Sequence, residues 1–125
     1  AGAQSLGHGA MRGWVTALDV VWADGTRASI ARDAAVSAAS SPDALGAPAA
    51  RLTADVLPAV RAALAAGAPL QRAVRKDSSG YALAAWGASG DLVDLLVGSE
   101  GTLALFTEVE LALAPVPGAT ASVLG

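Results

Sequence analysis

The sequence contains no cysteine, so disulfides, thiolate nucleophiles, iron–sulfur ligation and cysteine zinc sites are excluded within this chain. Histidine occurs once, at His8. That excludes a multi-histidine metal site and gives no basis for a Ser/His/Asp triad. Lysine also occurs once, at Lys76, with no phosphate-loop pattern around it. Charged residues are scarce, 15% of the 125, and mean hydropathy is +0.50, which is not a disordered composition. No apolar run approaches the ~20 residues of a membrane-spanning helix. There are 8 Lys+Arg against 11 Asp+Glu, a net charge of −3, with a pI near 4.8. An acidic balance of this kind disfavours nucleic acid as a partner. No signal peptide is visible, and the lack of cysteine suits a reducing, cytoplasmic compartment.

What is present is apolar, 54% of the chain, although alanine alone makes up about a quarter of it. The remaining large apolar residues suffice for one modest core. The chain opens on Ala1-Gly2-Ala3-Gln4 without an initiator methionine and closes on Ser122-Val123-Leu124-Gly125, which reads as the start of a strand. The expectation is a piece of a longer polypeptide.

Residues 1–13 are punctuated by Gly2, Gly7, Gly9 and Gly13 and read as loop. The stretch 14–22 turns β-like, with Trp14, Leu18, Val20 and Trp22 on one face and Asp19 and Val21 on the other. Ala23-Asp24-Gly25-Thr26 is a turn signal, and 27–30 can return as the second strand of a hairpin. Ser40, Ser41, Pro42, Gly46 and Pro48 mark a loop, and 31–39 has room for one or two helical turns. A helix is expected over 55–66, with Val56, Leu57, Val60 and Leu64 on one stripe. Thr53 or Asp55 would cap it, Pro58 would sit in its first turn, and Gly67 and Pro69 would stop it. Residues 70–74 read either as a short strand or as an approach to the loop at 75–80. Asp91 caps a short helix through Val97 that carries Leu92, Leu95 and Leu96, and Gly98 ends it. The clearest alternation runs over 103–114: Leu103, Leu105, Thr107, Val109, Leu111 and Leu113 against Ala104, Phe106, Glu108, Glu110, Ala112 and Ala114. Pro115 and Pro117 end that strand. The element order predicts an α+β fold with a mostly antiparallel sheet flanked by helices.

Three glycine-rich loops, at 1–9, 77–80 and 98–102, can bring backbone N–H groups against a phosphate or a flat ring. Each loop taken singly is also an ordinary turn. The first lacks the G-x-G-x-x-G spacing of a nucleotide fold. Glu108 and Glu110 share a strand face and could do acid/base work, against the plainer reading of a solvated face. His8 could contact a cofactor or anchor a flavin, against the plainer reading of a polar surface residue. Trp14 and Trp22 read as core, and Trp86 is ambiguous. Arg75 and Lys76 could meet an anion, or form an exposed charged loop.

The run Gly98-Ser99-Glu100-Gly101-Thr102-Leu103-Ala104-Leu105-Phe106-Thr107-Glu108 resembles the G-S-E-G-T-L-G-I-[IV]-T-E signature of FAD-linked oxidases. These form the vanillyl-alcohol oxidase / p-cresol methylhydroxylase (PCMH-type) superfamily, and the likeness points to its glycolate oxidase and D-lactate dehydrogenase branch. Two further stretches agree in the family's order. Lys76-Asp77-Ser78-Ser79-Gly80-Tyr81-Ala82-Leu83 is similar to its K-[ND]-[ST]-[SA]-G-Y-x-L segment. Gly2-Ala3-Gln4-Ser5-Leu6-Gly7-His8-Gly9, with the strand pair around Ala23-Asp24-Gly25, is similar to G-A-R-S-x-x-Y-G and the A-D-G turn that follows it. The resemblance is weakest over 31–73.

The resemblance implies that 1–120 is the second subdomain of a two-part FAD-binding domain and that 121–125 begins a cap that binds substrate. The R-G-G-G-T-type pyrophosphate loop of the first subdomain has no counterpart in this sequence. Carried over by motif, Gly2, Ala3, Ser5 and Gly9 approach the flavin ring and diphosphate. Glu100 and Gly101 form part of the cofactor wall, and Ala104, Leu105 and Phe106 give backbone contacts on the adenine side. Glu108 holds that strand's loop in place. Ala104 stands where the family has glycine and His8 where it has an aromatic, usually Tyr, while 84–90 looks like an insertion. The implied partners are FAD, the first FAD subdomain and the cap, with no nucleic acid and no membrane span, and no residue here is catalytic. The implied activity is oxidation of a 2-hydroxy acid such as glycolate or D-lactate. The alternative is a non-catalytic half-domain that does not retain FAD on its own. Self-association through surface left uncovered is a further expectation.

Overall fold

The structure is a computed structural model that describes residues 8–32, 45–70, 80–115 and 118. A 3₁₀ turn, Met11–Trp14, leads into strand β1, Val15–Trp22, which pairs antiparallel with β2, Arg27–Ala31. Strand β3, Ala104–Leu111, pairs antiparallel with the other side of β1, giving the order β2-β1-β3. Between them run α1, Ala47–Arg51, a π-helical turn, Leu52–Val56, and α2, Leu57–Ala65, in one continuous helical path. Two short helices follow, α3, Leu83–Ser89, and α4, Leu92–Leu96. This is an α+β fold with an antiparallel sheet flanked by helices.

The Asp24-Gly25 signal forms the β1–β2 turn. Gly25 has φ 84, and Asp24 Oδ1 accepts from Thr26 N at 2.9 Å and from Thr26 Oγ1 at 2.6 Å. These two bonds, the hydroxyl one first, hold the Asp24 carboxyl below its ordinary value of 3.8. Trp14 falls in the 3₁₀ turn rather than in β1 and is half-buried. Leu18, Val20 and Trp22 face the core as expected.

The long helical path corrects the expected helix over 55–66. It starts at Ala47, with Gly46 at φ 85 before it and Pro48 in its first turn. Pro48 is therefore a helix-start residue, not a loop marker. Thr53 and Asp55 do not cap, because they lie inside the π turn. Pro58 is in the first turn of α2, as expected, but the π turn runs straight into that helix, so its missing N–H and the crowding of its ring on the carbonyl four residues back fall within the continuous path. The path widens there, and the Leu57 N–H reaches back five residues to the Leu52 carbonyl. The widening also turns Val56 off the buried stripe, leaving Leu57 and Val60 inside. Gly67, at φ 77, ends the helix in a Schellman arrangement: Ala68 N donates to Ala63 O, and Gly67 N to Leu64 O.

The apparent insertion at 84–90 contains α3, whose Trp86 is fully buried. Gly87 lets α3 lie against α2, since a Cβ there would collide with Leu64 Cδ1 and stand 3.1 Å from Val60 Cγ1. Asp91 caps α4 as expected, its Oδ1 accepting from Val93 N at 2.8 Å. Helix α4 packs on β1 and β2, and among the described residues no helix covers β3 to the same extent. The core joins Val15, Leu18, Val20, Trp22 and Ile30 of the sheet to Trp86, Val93, Leu95 and Leu96 of the helices.

Strand β3 departs from its sequence pattern. Val21 pairs with Leu105 and Val20 with Phe106, but Asp19 pairs with Glu108, so Thr107 is an extra residue in a bulge. The bulge reverses the faces beyond it. Phe106, Val109 and Leu111 share the core side, while Leu105, Glu108 and Glu110 share the outer side. The strand also stops at Leu111, short of the expected 114. Of the helical turns expected over 31–39, Ala31 instead ends β2 and Arg32 lies in a turn, and Leu70 is not in a strand; the rest of that stretch, the remainder of the segment expected over 70–74 and the boundary at 120/121 lie outside the described residues.

Two outcomes follow from these local structures. Replacing Pro58 by Ala restores the missing donor, a gain of up to about 3 kcal/mol for a helix interior. The freer unfolded chain takes back about 1 kcal/mol. Urea unfolding of Pro58→Ala is therefore expected to show higher stability, and a lower midpoint would contradict the account. The Asp24 carboxyl, followed by NMR titration, is expected to lose its proton below 3.8. Its support of the hairpin is full above that value and fades as pH falls through the lowered one. A titration at or above 3.8 would refute it.

Candidate functional site

Three chain segments meet beside the C-terminal end of α4. Helix α4 ends at Leu96 with Val97 as its C-cap, and Gly98 follows at φ 100. Ser99 N then donates to Leu96 O at 3.0 Å and fixes the exit. Glu100 and Gly101 both take left-handed conformations, φ 54 and φ 77, between the Ser99 carbonyl and the Thr102 N–H that bonds to it at 3.0 Å. Two successive positive φ values across such a bond are the signature of a type I′ turn. Glu100 is the only non-glycine residue with positive φ among those described, a conformation that costs roughly 1 kcal/mol or more without glycine.

Side chains hold this turn from two directions. Thr102 Oγ1 donates to the Ser99 carbonyl at 2.6 Å, so the Tyr81 hydroxyl, 2.7 Å away, donates to Thr102 Oγ1. From the 3₁₀ turn, Arg12 Nη2 donates to the Val97 carbonyl at 2.9 Å. A Cβ at Gly98 would lie 3.3 Å from Arg12 Nη2 and 3.8 Å from the Gly80 carbonyl, so Gly80, Gly98 and Arg12 are neighbours. Arg12 is in turn held by Arg32, whose Nη2 donates to the Arg12 carbonyl at 2.7 Å. Arg32 Nη1 reaches Asp94 Oδ1 at 2.9 Å and Asp91 Oδ2 at 3.8 Å, and Ser89 Oγ donates to the other Asp94 oxygen at 2.7 Å. The junction thus joins the segment before β1, the Gly80-Tyr81 loop and the 98–102 loop.

Two polar atoms at the junction, Arg12 Nε and Ser99 Oγ, are buried without a hydrogen-bond partner. Each costs about 1–3 kcal/mol unless something meets it. A Cβ at Gly101 would meet nothing within 4 Å, so the backbone of that turn borders open space.

The expected site residues distribute as follows. Glu100 and Gly101 are exposed at the turn, and Gly9 is exposed at φ 75 ahead of the 3₁₀ turn. Ala104, Leu105 and Phe106 lie further along, paired with Trp22, Val21 and Val20. Ala104 is buried, so the methyl that replaces the expected glycine packs in the core. Leu105 is two-thirds exposed on the outer face. Gly2, Ala3 and Ser5, with Arg75 and Lys76, lie outside the described residues. His8 is exposed, edge-on to Trp14, whose Nε1 donates to the His8 carbonyl at 2.7 Å. Glu108 and Glu110 share the exposed outer face, and Glu110 accepts from Thr16 Oγ1 at 2.7 Å. Among the described residues no group of His, Asp and Glu is arranged to hold a metal, and no helix is long and apolar enough to cross a membrane.

The sequence reading missed Arg12. Its one signal is position, as the first cation in the chain, between a glycine-rich loop and a strand. Comparison with known protein families, curated proteins and solved structures finds no match for this chain.

Removing the Arg12 guanidinium leaves the Val97 carbonyl without its donor, a loss of about 1–2 kcal/mol for a part-buried bond. Arg12→Ala is expected to lower Tm and to speed hydrogen exchange at the Ser99 and Thr102 amides, while the β1–β2 amides keep their protection. Unchanged exchange over 98–102 would show that Arg12 does not hold the loop.

Proposed function

We propose that this chain is the FAD-binding portion of a flavin-dependent oxidoreductase that oxidises a 2-hydroxy acid such as glycolate or D-lactate. The observation that carries the reading is the meeting of Gly80-Tyr81 with 98–102, two of the segments bearing the family resemblance, beside the turn that follows the first. Unrelated turns have no reason to converge in this way. Residues 1–120 are read as the second FAD subdomain of a cytoplasmic enzyme and 121–125 as the start of a cap.

In this reading Glu100 and Gly101 wall the cofactor, and the backbone of Ala104, Leu105 and Phe106 borders its adenine side. The loop with Gly2, Ala3, Ser5 and Gly9 approaches the flavin ring and diphosphate. Features of the chain suit such a group: an open backbone at Gly101 and unmet polar capacity at Ser99 and Arg12. When bound, FAD supplies acceptance of a hydride from the substrate carbon and onward passage of electrons. The chain's own residues bind and orient, and none is assigned a catalytic role. The diphosphate clasp and substrate contacts are assigned to a first FAD subdomain and a cap on a longer polypeptide.

The second reading, a half-domain that does not retain FAD alone, is favoured by the absence of an R-G-G-G-T-type loop from the sequence. NMR titration with FAD, ADP and riboflavin separates the two. FAD is expected to shift the Gly101 amide and those of 104–106 with a Kd weaker than about 1 μM, and ADP alone to reproduce the shifts at 104–106. Sub-micromolar retention of FAD would discard the second reading. No shift at these amides at millimolar FAD would discard flavin contact by this chain.

A further inference from the structure

Beyond the Thr107 bulge, the two faces of β3 carry different chemistry. Among the described residues β3 has one neighbour, β1, and its other edge has no strand paired to it. On the core side Val109 and Leu111 are 44% and 42% exposed, although their partners Leu18 and Val15 are 1% and 2% exposed. The apolar row is thus covered from β1 and open on its far side.

The outer side of the same stretch is acidic. Glu108 and Glu110 lie on it, and Glu108 sits directly across from Asp19. Like charges in that position repel. Asp19 accepts from Ser29 Oγ at 2.6 Å and Glu110 from Thr16 Oγ1 at 2.7 Å. Those are neutral donors; both ion pairs among the described residues belong to Arg32, so none of the three carboxylates forms an ion pair there.

We propose that the 108–111 edge of β3 is a docking site for an extended segment of another polypeptide that alternates basic and apolar residues. Such a strand would set Lys or Arg beside Glu108 and Glu110 and apolar side chains beside Val109 and Leu111, extending the sheet by strand addition. A second copy of this chain does not suit the edge. A twofold edge pairing is antiparallel and self-complementary, and centred on Val109 it opposes Glu108 of one copy to Glu110 of the other. The inference does not rest on the flavin reading: it uses the charge of Glu108 and Glu110 and the exposure of Val109 and Leu111, and of these only Glu108 has a place in that reading.

The test titrates the full chain at low salt with a short peptide of alternating Lys and Val, and with its Glu/Val counterpart. The Lys/Val peptide is expected to bind at least about tenfold more tightly, to shift the amides of 107–111, and to weaken as salt rises. In the double variant Glu108→Lys, Glu110→Lys the preference is expected to reverse. Should that variant fail to fold, the two-peptide comparison and its salt dependence on the unmodified chain decide. Equal affinity for both peptides, no binding of either, or shifts elsewhere would overturn the proposal. Concentration-dependent changes at 107–111 without peptide would give the edge to a second copy instead and overturn it equally.

Discussion

The guanidinium of Arg32 is the interaction on which the arrangement of layers turns. It donates to the Val15 carbonyl at the start of β1, to the Arg12 carbonyl in the 3₁₀ turn and to Asp94 in α4. One planar cation therefore ties the end of β2, the entry to β1 and a helix from the far end of the sequence. Its fork geometry suits this better than a lysine ammonium could. Asp94 is nearly buried and shares its second oxygen with Ser89, so the pair is fully engaged. Pairs of this kind add little net stability, but breaking one partner leaves a buried charge uncompensated. The consequence is positional: Arg12 is delivered to Val97, and the 98–102 loop is fastened where the other loop arrives.

Local features of the sequence translate directly into structure. Asp24-Gly25 gives the hairpin turn, Asp91 caps α4, and Gly67 stops α2, because each works through bonds to residues a few positions away. Pro48 reads in the sequence as a loop marker and is instead a helix-start residue, since proline opens a helix as readily as it marks a loop and nothing within a turn of it decides between the two. Arg12 and Arg32 were illegible as site builders, because their partners Val97 and Asp94 are remote in sequence. The Thr107 bulge was hidden for a different reason. An unbroken apolar alternation over 103–114 has no break to announce an extra residue, and the bulge appears only against the register of β1.

That bulge is what reconciles β3 with a sheet that is covered on one side. Without it Phe106 would share a face with Glu108 and Glu110, and carboxylates would enter the core side next to Leu18. With it the apolar residues gather on one side and the carboxylates on the other. The remaining exposure of Val109 and Leu111 arises from the helical layer, which lies over β1 and β2. Edge strands are usually protected by charge or by covering; here charge lies on the outer face alone, and among the described residues no helix covers the core side of the same strand as α4 covers β1 and β2.

The strand and the loop before it also divide labour around Ala104. Upstream, the backbone at Gly101 is held by Tyr81, Thr102 and Arg12 yet borders open space. At Ala104 the methyl turns inward beside Trp22, so its bulk falls on the core and not on the outer face. The methyl at Ala104 is therefore absorbed by packing and leaves the outer face clear. The neighbouring Leu105, on the opposite face, is the side chain that anything resting on this end of the sheet would touch first. Rigid backbone upstream, a buried anchor at Ala104 and an exposed apolar residue after it form a continuous path. Along it contact with a ligand would pass from main chain to side chain as the loop becomes strand.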